Sequence, residues 1–402
     1  MGWPRGGEWS ADTPRLPAGA PRAAIRRRVT GGDSLSYFRA RAAGMTWRAV
    51  EAGNPIRSNR PVLAHPHTFM LSLPELPLAR GGRVRSHRAA AWWWSREGDT
   101  PAAPQRGVPT VLLVHALTGS AQAGGPGGWW EPLIGPGRAL DPGKFRLVCF
   151  NNLGSFYGSS APGAPGFPRG RRVRLTTPDL ARAILQGLDA LGIREVHLAV
   201  GGSLGGMVVL TLAALAPRRF QRLLPIATSA QAGPWIAGWN HVARCLLRAD
   251  AGYPRHAARG LEVARQLAML TYRAEAGLAQ KHDARTVGAY LEHHGRKLHG
   301  RFTADCYESQ LDAMDSHDLH RPLPGGRGPA LGRIKAPALV VDVDSDQLFT
   351  PAQSVALARA LRAGGVRVTR ATIRSPHGHD AFLLEWRQLD RIVRRALRIS
   401  VR

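Results

Sequence analysis

From Phe69 onward the chain alternates short, nearly continuous apolar runs with longer stretches of helical period, and Gly, Pro and Asp mark the joints. Such runs read as strands covered on both faces, and their alternation with helices reads as a mostly parallel sheet. The pattern predicts strands at Thr110 to His115, Arg146 to Asn151, Glu195 to Val200, Leu223 to Thr228, Ala338 to Val343 and Arg367 to Ile373. Ahead of the third strand, Thr177 can cap a helix opening with Pro178, whose apolar stripe is Leu180, Ile184, Leu188 and Leu191 before Gly192. That is one complete crossover. Residues 232–330 break the rhythm, being rich in Ala, Arg and His with helical period and no strand. They read as a helical lid inserted above the carboxyl ends of the strands, the edge where open α/β sheets bind ligands. The core is then 68–231 and 331–402.

Residues 1–67 are rich in Arg, Pro and Gly, carry Arg26-Arg27-Arg28 and show neither period. They read as a disordered basic tail, with an organelle leader or a start at Met70 as alternatives.

Composition narrows the class. A chain of 402 residues that is 44% hydrophobic can bury a large core. Cys149, Cys245 and Cys306 are too dispersed for a disulfide framework or a zinc site, so the chain suits a reducing cytoplasm and no metal is expected. No apolar run approaches the roughly 18 to 20 residues that span a bilayer, and no signal-type stretch opens the chain, which reads as soluble and unexported. The formal charge of +27 raises nucleic acid as a partner. The excess is mostly arginine spread along the whole chain, without an aromatic-interleaved stripe, so no specific nucleic-acid partner is expected. Attraction to the phosphates of a nucleotide cosubstrate fits the same charge.

The chemistry centres on Gly201-Gly202-Ser203-Leu204-Gly205-Gly206-Met207, between a strand and a helix. It fits the G-x-S-x-G nucleophile turn. A serine on so sharp a turn tolerates no side chains two residues away, which accounts for Gly201 and Gly205. The helix N-terminus beyond it, beginning with the Leu204 N–H, faces a developing oxyanion. The segment has no P-loop lysine, and its glycines are out of register for a dinucleotide fingerprint. A serine hydroxyl needs a base, and the base an orienting acid, in the order Ser, Asp, His. At and after the end of a later strand stand Asp342, Asp344 and Asp346, and after the next stand His377 and His379. A second oxyanion donor belongs after an early strand, where the Leu117 N–H in His115-Ala116-Leu117-Thr118-Gly119-Ser120 is the candidate.

Those segments resemble the homoserine O-acyltransferase family. So do Gly135-Pro136-Gly137, Asn151-Asn152-Leu153-Gly154-Ser155 with Tyr157-Gly158-Ser159-Ser160, and Ser229-Ala230-Gln231. Leu270-Thr271-Tyr272-Arg273, Asp344-Ser345-Asp346 and Gly378-His379-Asp380-Ala381-Phe382 complete the set, which spans roughly residues 69 to 398. The resemblance implies an α/β-hydrolase fold and a Ser203, Asp346, His379 triad. It also implies a ping-pong transfer of an acetyl group from acetyl-CoA, as cosubstrate, to the hydroxyl of L-homoserine in methionine biosynthesis, by a homodimer. Arg273 becomes the clamp for the acceptor carboxylate and Asp380 the partner of its ammonium group, with Arg244 as the reserve clamp. The chain departs from the family at Ser155-Phe156-Tyr157 and Ala161-Pro162. Succinyl-CoA as donor, L-serine as acceptor, and a plain esterase remain the alternatives.

Overall fold

Eight strands form one sheet in the computed structural model, whose described residues are 66–168 and 173–401. In chain order the strands are β1 (His67–Leu73), β2 (Leu76–Pro77), β3 (Arg83–Val84), β4 (His87–Trp94), β5 (Thr110–Val114), β6 (Arg146–Phe150), β7 (Leu198–Gly202), β8 (Leu223–Ile226), β9 (Ala338–Val343) and β10 (Val368–Ile373). The sheet runs β1-β4-β6-β5-β7-β8-β9-β10, while β2 and β3 form a separate ribbon. From β6 to β10 all pairings are parallel, and β1 and β4 add an antiparallel edge. Each parallel central strand feeds two cores. Leu112, Val114, Ala199 and Val340 face one, and Val111, Leu113, Val200 and Val341 face the other. Helices α1 (Thr177–Ala190) and α2 (Leu204–Leu215) cover the first face.

All six expected strands are present, Ala338–Val343 with the expected ends and the other five with shifted ones. β7 starts at Leu198, because Val196 pairs only through an isolated bridge to Phe220, and runs to Gly202. The α1 cap is Thr176, one residue earlier than Thr177. Its hydroxyl and backbone bond reciprocally with Asp179 in a capping box, and Pro178 follows. The antiparallel edge carries no clear strand signal. β1 alternates half-buried with exposed positions, and β4 opens on His-Arg-Ala-Ala-Ala, which has little β preference. Tertiary contacts hold it: the Trp93 indole N–H donates to the Asp99 carbonyl, and the Arg146 guanidinium lies 4.8 Å over that ring while bonding both Asp99 carboxylate oxygens. The expected tail lies outside the described residues except for Pro66 and His67, and Met70 sits inside β1 opposite Ala90.

Between β8 and β9 the chain forms α3 (Pro234–Arg248), α4 (Ala258–Tyr272), α5 (Glu275–Ala279), α6 (Val287–His299) and α7 (Ala304–Asp315). The two ends of this excursion meet at an antiparallel bridge, Gln231 to Asp318, flanked by Ala232 N–H to the His317 carbonyl at 2.8 Å and Leu319 N–H to the Ala230 carbonyl at 2.9 Å. After β9 come α8 (Pro351–Ala363), α9 (Ala381–Leu384) and α10 (Trp386–Leu397). Helix α10 buries Leu389, Ile392, Val393 and Ala396 on the second face and turns its arginines outward. Among the described residues no helix is long and apolar enough to cross a membrane, and no group of three or more His, Cys, Asp or Glu side chains could hold a metal ion.

Candidate active site

Ser203 lies between β7 and α2 with φ 58° and ψ −127°, a positive φ that a non-glycine residue adopts only under local constraint. Its N–H donates to the Ile226 carbonyl at 2.9 Å, and its carbonyl accepts from Met207 at 3.1 Å. A Cβ on Gly201 would lie 2.5 Å from the Gly205 backbone, and one on Gly205 would lie 2.2 Å from the Val114 carbonyl oxygen. The glycines therefore let the turn close on itself and dock on the end of β5.

The loops after β9 and β10 bring Asp346 and His379 together. His379 Nδ1 lies 2.6 Å from Asp346 Oδ2, with both side chains almost fully buried. Asp346 Oδ1 accepts the Leu348 and Phe349 N–H groups at 2.8 and 2.9 Å, which fixes the carboxylate. The imidazole is held by rings: Phe349 stacks at 5.2 Å, Phe382 meets it edge-on at 5.3 Å, and Tyr272 lies at 5.8 Å. Phe382 also packs against Gly202, where an added Cβ would be 2.5 Å from the ring, so the histidine and the serine turn share a neighbour. His379 Nε2 has no hydrogen-bond partner, and no bond to Ser203 is formed. Burial by itself would lower the His379 pKa, but the Asp346 charge and hydrogen bond, with Asp380 behind them, raise it above the ordinary value.

The other members of the two clusters are occupied elsewhere. Asp342 pairs with Arg370 at 2.5 Å, Asp344 accepts the Ser375 N–H at 2.9 Å, and His377 is half-buried with its own N–H on Ser375 Oγ.

Leu117 and Thr118 are the central residues of a turn closed by Gly119 N–H to the Ala116 carbonyl at 3.0 Å. Neither the Leu117 nor the Leu204 N–H has an acceptor among the described residues. The turn is fixed from within by His115. Its Nδ1–H donates to the Ala116 carbonyl at 2.7 Å and its Nε2 accepts the Asn152 N–H at 3.0 Å. Burial pushes this imidazole down to about 4, so it stays neutral and keeps both bonds. Reading the sequence missed this role, although a histidine in the last position of an apolar strand was the available signal.

Arg273 and Asp380 face one another. Arg273 Nη2 lies 3.4 Å from Asp380 Oδ2, both are partly accessible, and Arg273 Nε donates to the Tyr290 hydroxyl at 3.1 Å. Arg244 is already engaged by Asp312 and Asp315, at 3.1 and 2.7 Å. The inserted helices touch the loop that carries His379 directly: a Cβ on Gly277 would collide with the Pro376 carbonyl, and one on Gly378 with the Ala274 backbone.

The parallel sheet, the constrained Ser203 turn and the Asp346–His379 pair after later strands define a protein of the α/β-hydrolase class, and the family model described as alpha/beta hydrolase fold matches residues 109–385. Within that class the chain is 42% identical over 311 residues to a homoserine O-acetyltransferase of Thermus thermophilus, covering 70% of this chain and 80% of that protein. The crystal structure of a homoserine O-acetyltransferase from Staphylococcus aureus superposes with a TM-score of 0.70 at 27% identity, over 84% of this chain and 96% of that one. The crystal structure of esterase E22 gives 0.72 at 18% identity, over 83% and 100%, a likeness of fold alone. The chain belongs to the homoserine O-acetyltransferase family and is an acyltransferase.

Proposed function

We propose that this enzyme transfers an acetyl group from acetyl-CoA to the hydroxyl of L-homoserine through an acyl-Ser203 intermediate. His379 Nε2 takes the Ser203 proton as Oγ attacks the thioester carbonyl, and the Leu117 and Leu204 N–H groups receive the oxyanion. The C–S bond then breaks and CoA leaves as the thiol with that proton. In the second half the homoserine hydroxyl gives its proton to His379 and attacks the acyl carbon, and Ser203 leaves with the proton.

The observation that carries an amino-acid acceptor over water is the Arg273–Asp380 pair beside His379. A zwitterion can extend it, its carboxylate on the planar guanidinium and its ammonium on the carboxylate. The five helices between β8 and β9 then act as the wall of the acceptor site. The deciding experiment is a crossed assay of acetyl-CoA and succinyl-CoA with homoserine and serine. CoA release should be fast only for acetyl-CoA with homoserine; equal release with water alone would make the enzyme an esterase.

Two further results are expected. Arg273→Ala should still release a burst of CoA close to one per active site, because acylation does not use the guanidinium. Steady-state transfer to homoserine should fall by about two to three orders of magnitude, the loss of a partly desolvated charge pair. Normal homoserine kinetics in this variant would place the clamp elsewhere. The pH profile is the second result. Only neutral His379 can accept the proton, and its raised pKa means that the charged form persists above 6.5. The acid limb of kcat/KM for acetyl-CoA should therefore be centred above that value, and a limb below it contradicts the assignment.

A further inference from the structure

Arg301 lies in the joint between α6 and α7, partly accessible, and has no carboxylate partner among the described residues. Its Nη1 instead donates to two neutral oxygens, the Thr118 carbonyl at 2.9 Å and the Tyr157 hydroxyl. Thr118 directly follows Leu117 in the turn after β5. Tyr157 has φ 71°, a conformation that a bulky residue keeps only when its surroundings impose it. Rings hold it in place: Phe156 lies at 5.5 Å, and Phe302, the residue after Arg301, at 6.1 Å. Three segments distant in the chain thus converge on one guanidinium: the β5 turn, the loop after β6, and the inserted helices.

We infer that Arg301 is a positioning residue for acyl-enzyme formation, pinning the outer end of the turn that presents the Leu117 N–H to the oxyanion. His115 pins the inner end through the Ala116 carbonyl, so the Leu117 N–H sits between two anchors, one from the sheet and one from the insertion. An oxyanion donor acts only when it is held at its angle before charge develops, and a displacement of about 1 Å costs up to about 100-fold. The inference rests on the oxyanion role of Leu117 and not on the identity of the acceptor.

The test measures the rate of Ser203 acylation in the full chain with two donors, acetyl-CoA and p-nitrophenyl acetate, the second of which carries no phosphates and needs no homoserine. Arg301→Met should slow both bursts by a similar factor of about 10 to 100 and change KM for homoserine by less than about twofold. Arg301→Lys should regain a large part of the rate, since an ammonium can still donate to the Thr118 carbonyl. A rise in KM for acetyl-CoA alone, with p-nitrophenyl acetate unaffected, overturns the inference and makes Arg301 a cation for the cosubstrate. If Arg301→Met does not fold, Tyr157→Phe removes one of the two acceptors with almost no change in volume, and an unchanged burst rate there overturns it equally. Failure of the acceptor assignment would appear only in the homoserine step, leaving these bursts as the independent readout.

Discussion

Ser203→Ala should leave no measurable acyl transfer, a fall of about five to six orders of magnitude, because every bond made to the acyl carbon in the proposed route passes through that oxygen. The protein should remain folded. The hydroxyl makes no hydrogen bond within the described residues, and alanine carries the same Cβ into the φ 58° conformation that the docked turn already imposes. The measurement is twofold: single-turnover CoA release from acetyl-CoA, and thermal unfolding of parent and variant side by side. A variant that unfolds near the parent temperature and yet keeps transfer within about tenfold of it would remove Ser203 from the mechanism.

Asp346→Asn is expected to be the next most severe change, lowering the acylation rate by about four orders of magnitude. The substituted amide can present N–H to Nδ1, which drives the histidine proton onto Nε2, where it blocks the base. There is also a charge signature. With the carboxylate gone, burial is no longer outweighed, so the His379 pKa should fall, and the acid limb of the residual activity should move to lower pH. Asp344→Asn keeps an oxygen to accept the Ser375 N–H and should stay within about tenfold of the parent. Equal losses from both substitutions would mean that the effect is one of loop integrity and not of base orientation.

Much of the candidate site was legible in the chain because each of its turns is marked by a short local motif. The serine turn declares itself through its glycines: the absent side chain of Gly201 would strike the turn's own backbone, a collision fixed by a few consecutive residues. The parallel strands were equally plain, since burial on both faces leaves an unbroken apolar run. What sequence could not order were relations across the fold. Spacing alone does not rank Asp342, Asp344 and Asp346, and only the family resemblance selects the third; in the fold it is the one that meets a histidine, while the first is paired with Arg370 from β10 and the second accepts a backbone N–H. The β1 and β4 edge was missed for the same reason: three consecutive alanines have no periodic signal, and Arg146 and Asp99 hold that edge from elsewhere in the chain. Arg301 had no signal at all, because a lone arginine after a helix is indistinguishable from solvated charge until its carbonyl partner is known.

The bridge between Gln231 and Asp318 means that the run of helices α3 to α7 begins and ends at a single point beyond the end of β8. A loop whose ends are already side by side imposes a closure entropy that grows only with the logarithm of its length. The sheet can therefore accept stretches of very different size at this splice point without resetting its own register. Of the proposed acceptor pair, Arg273 lies within the spliced stretch with its partner Tyr290, while Asp380 lies outside it with Ser203, Asp346 and His379. In the proposed route the acceptor pair is thus assembled from both parts of the chain, whereas the bond-breaking groups all come from the part outside the splice.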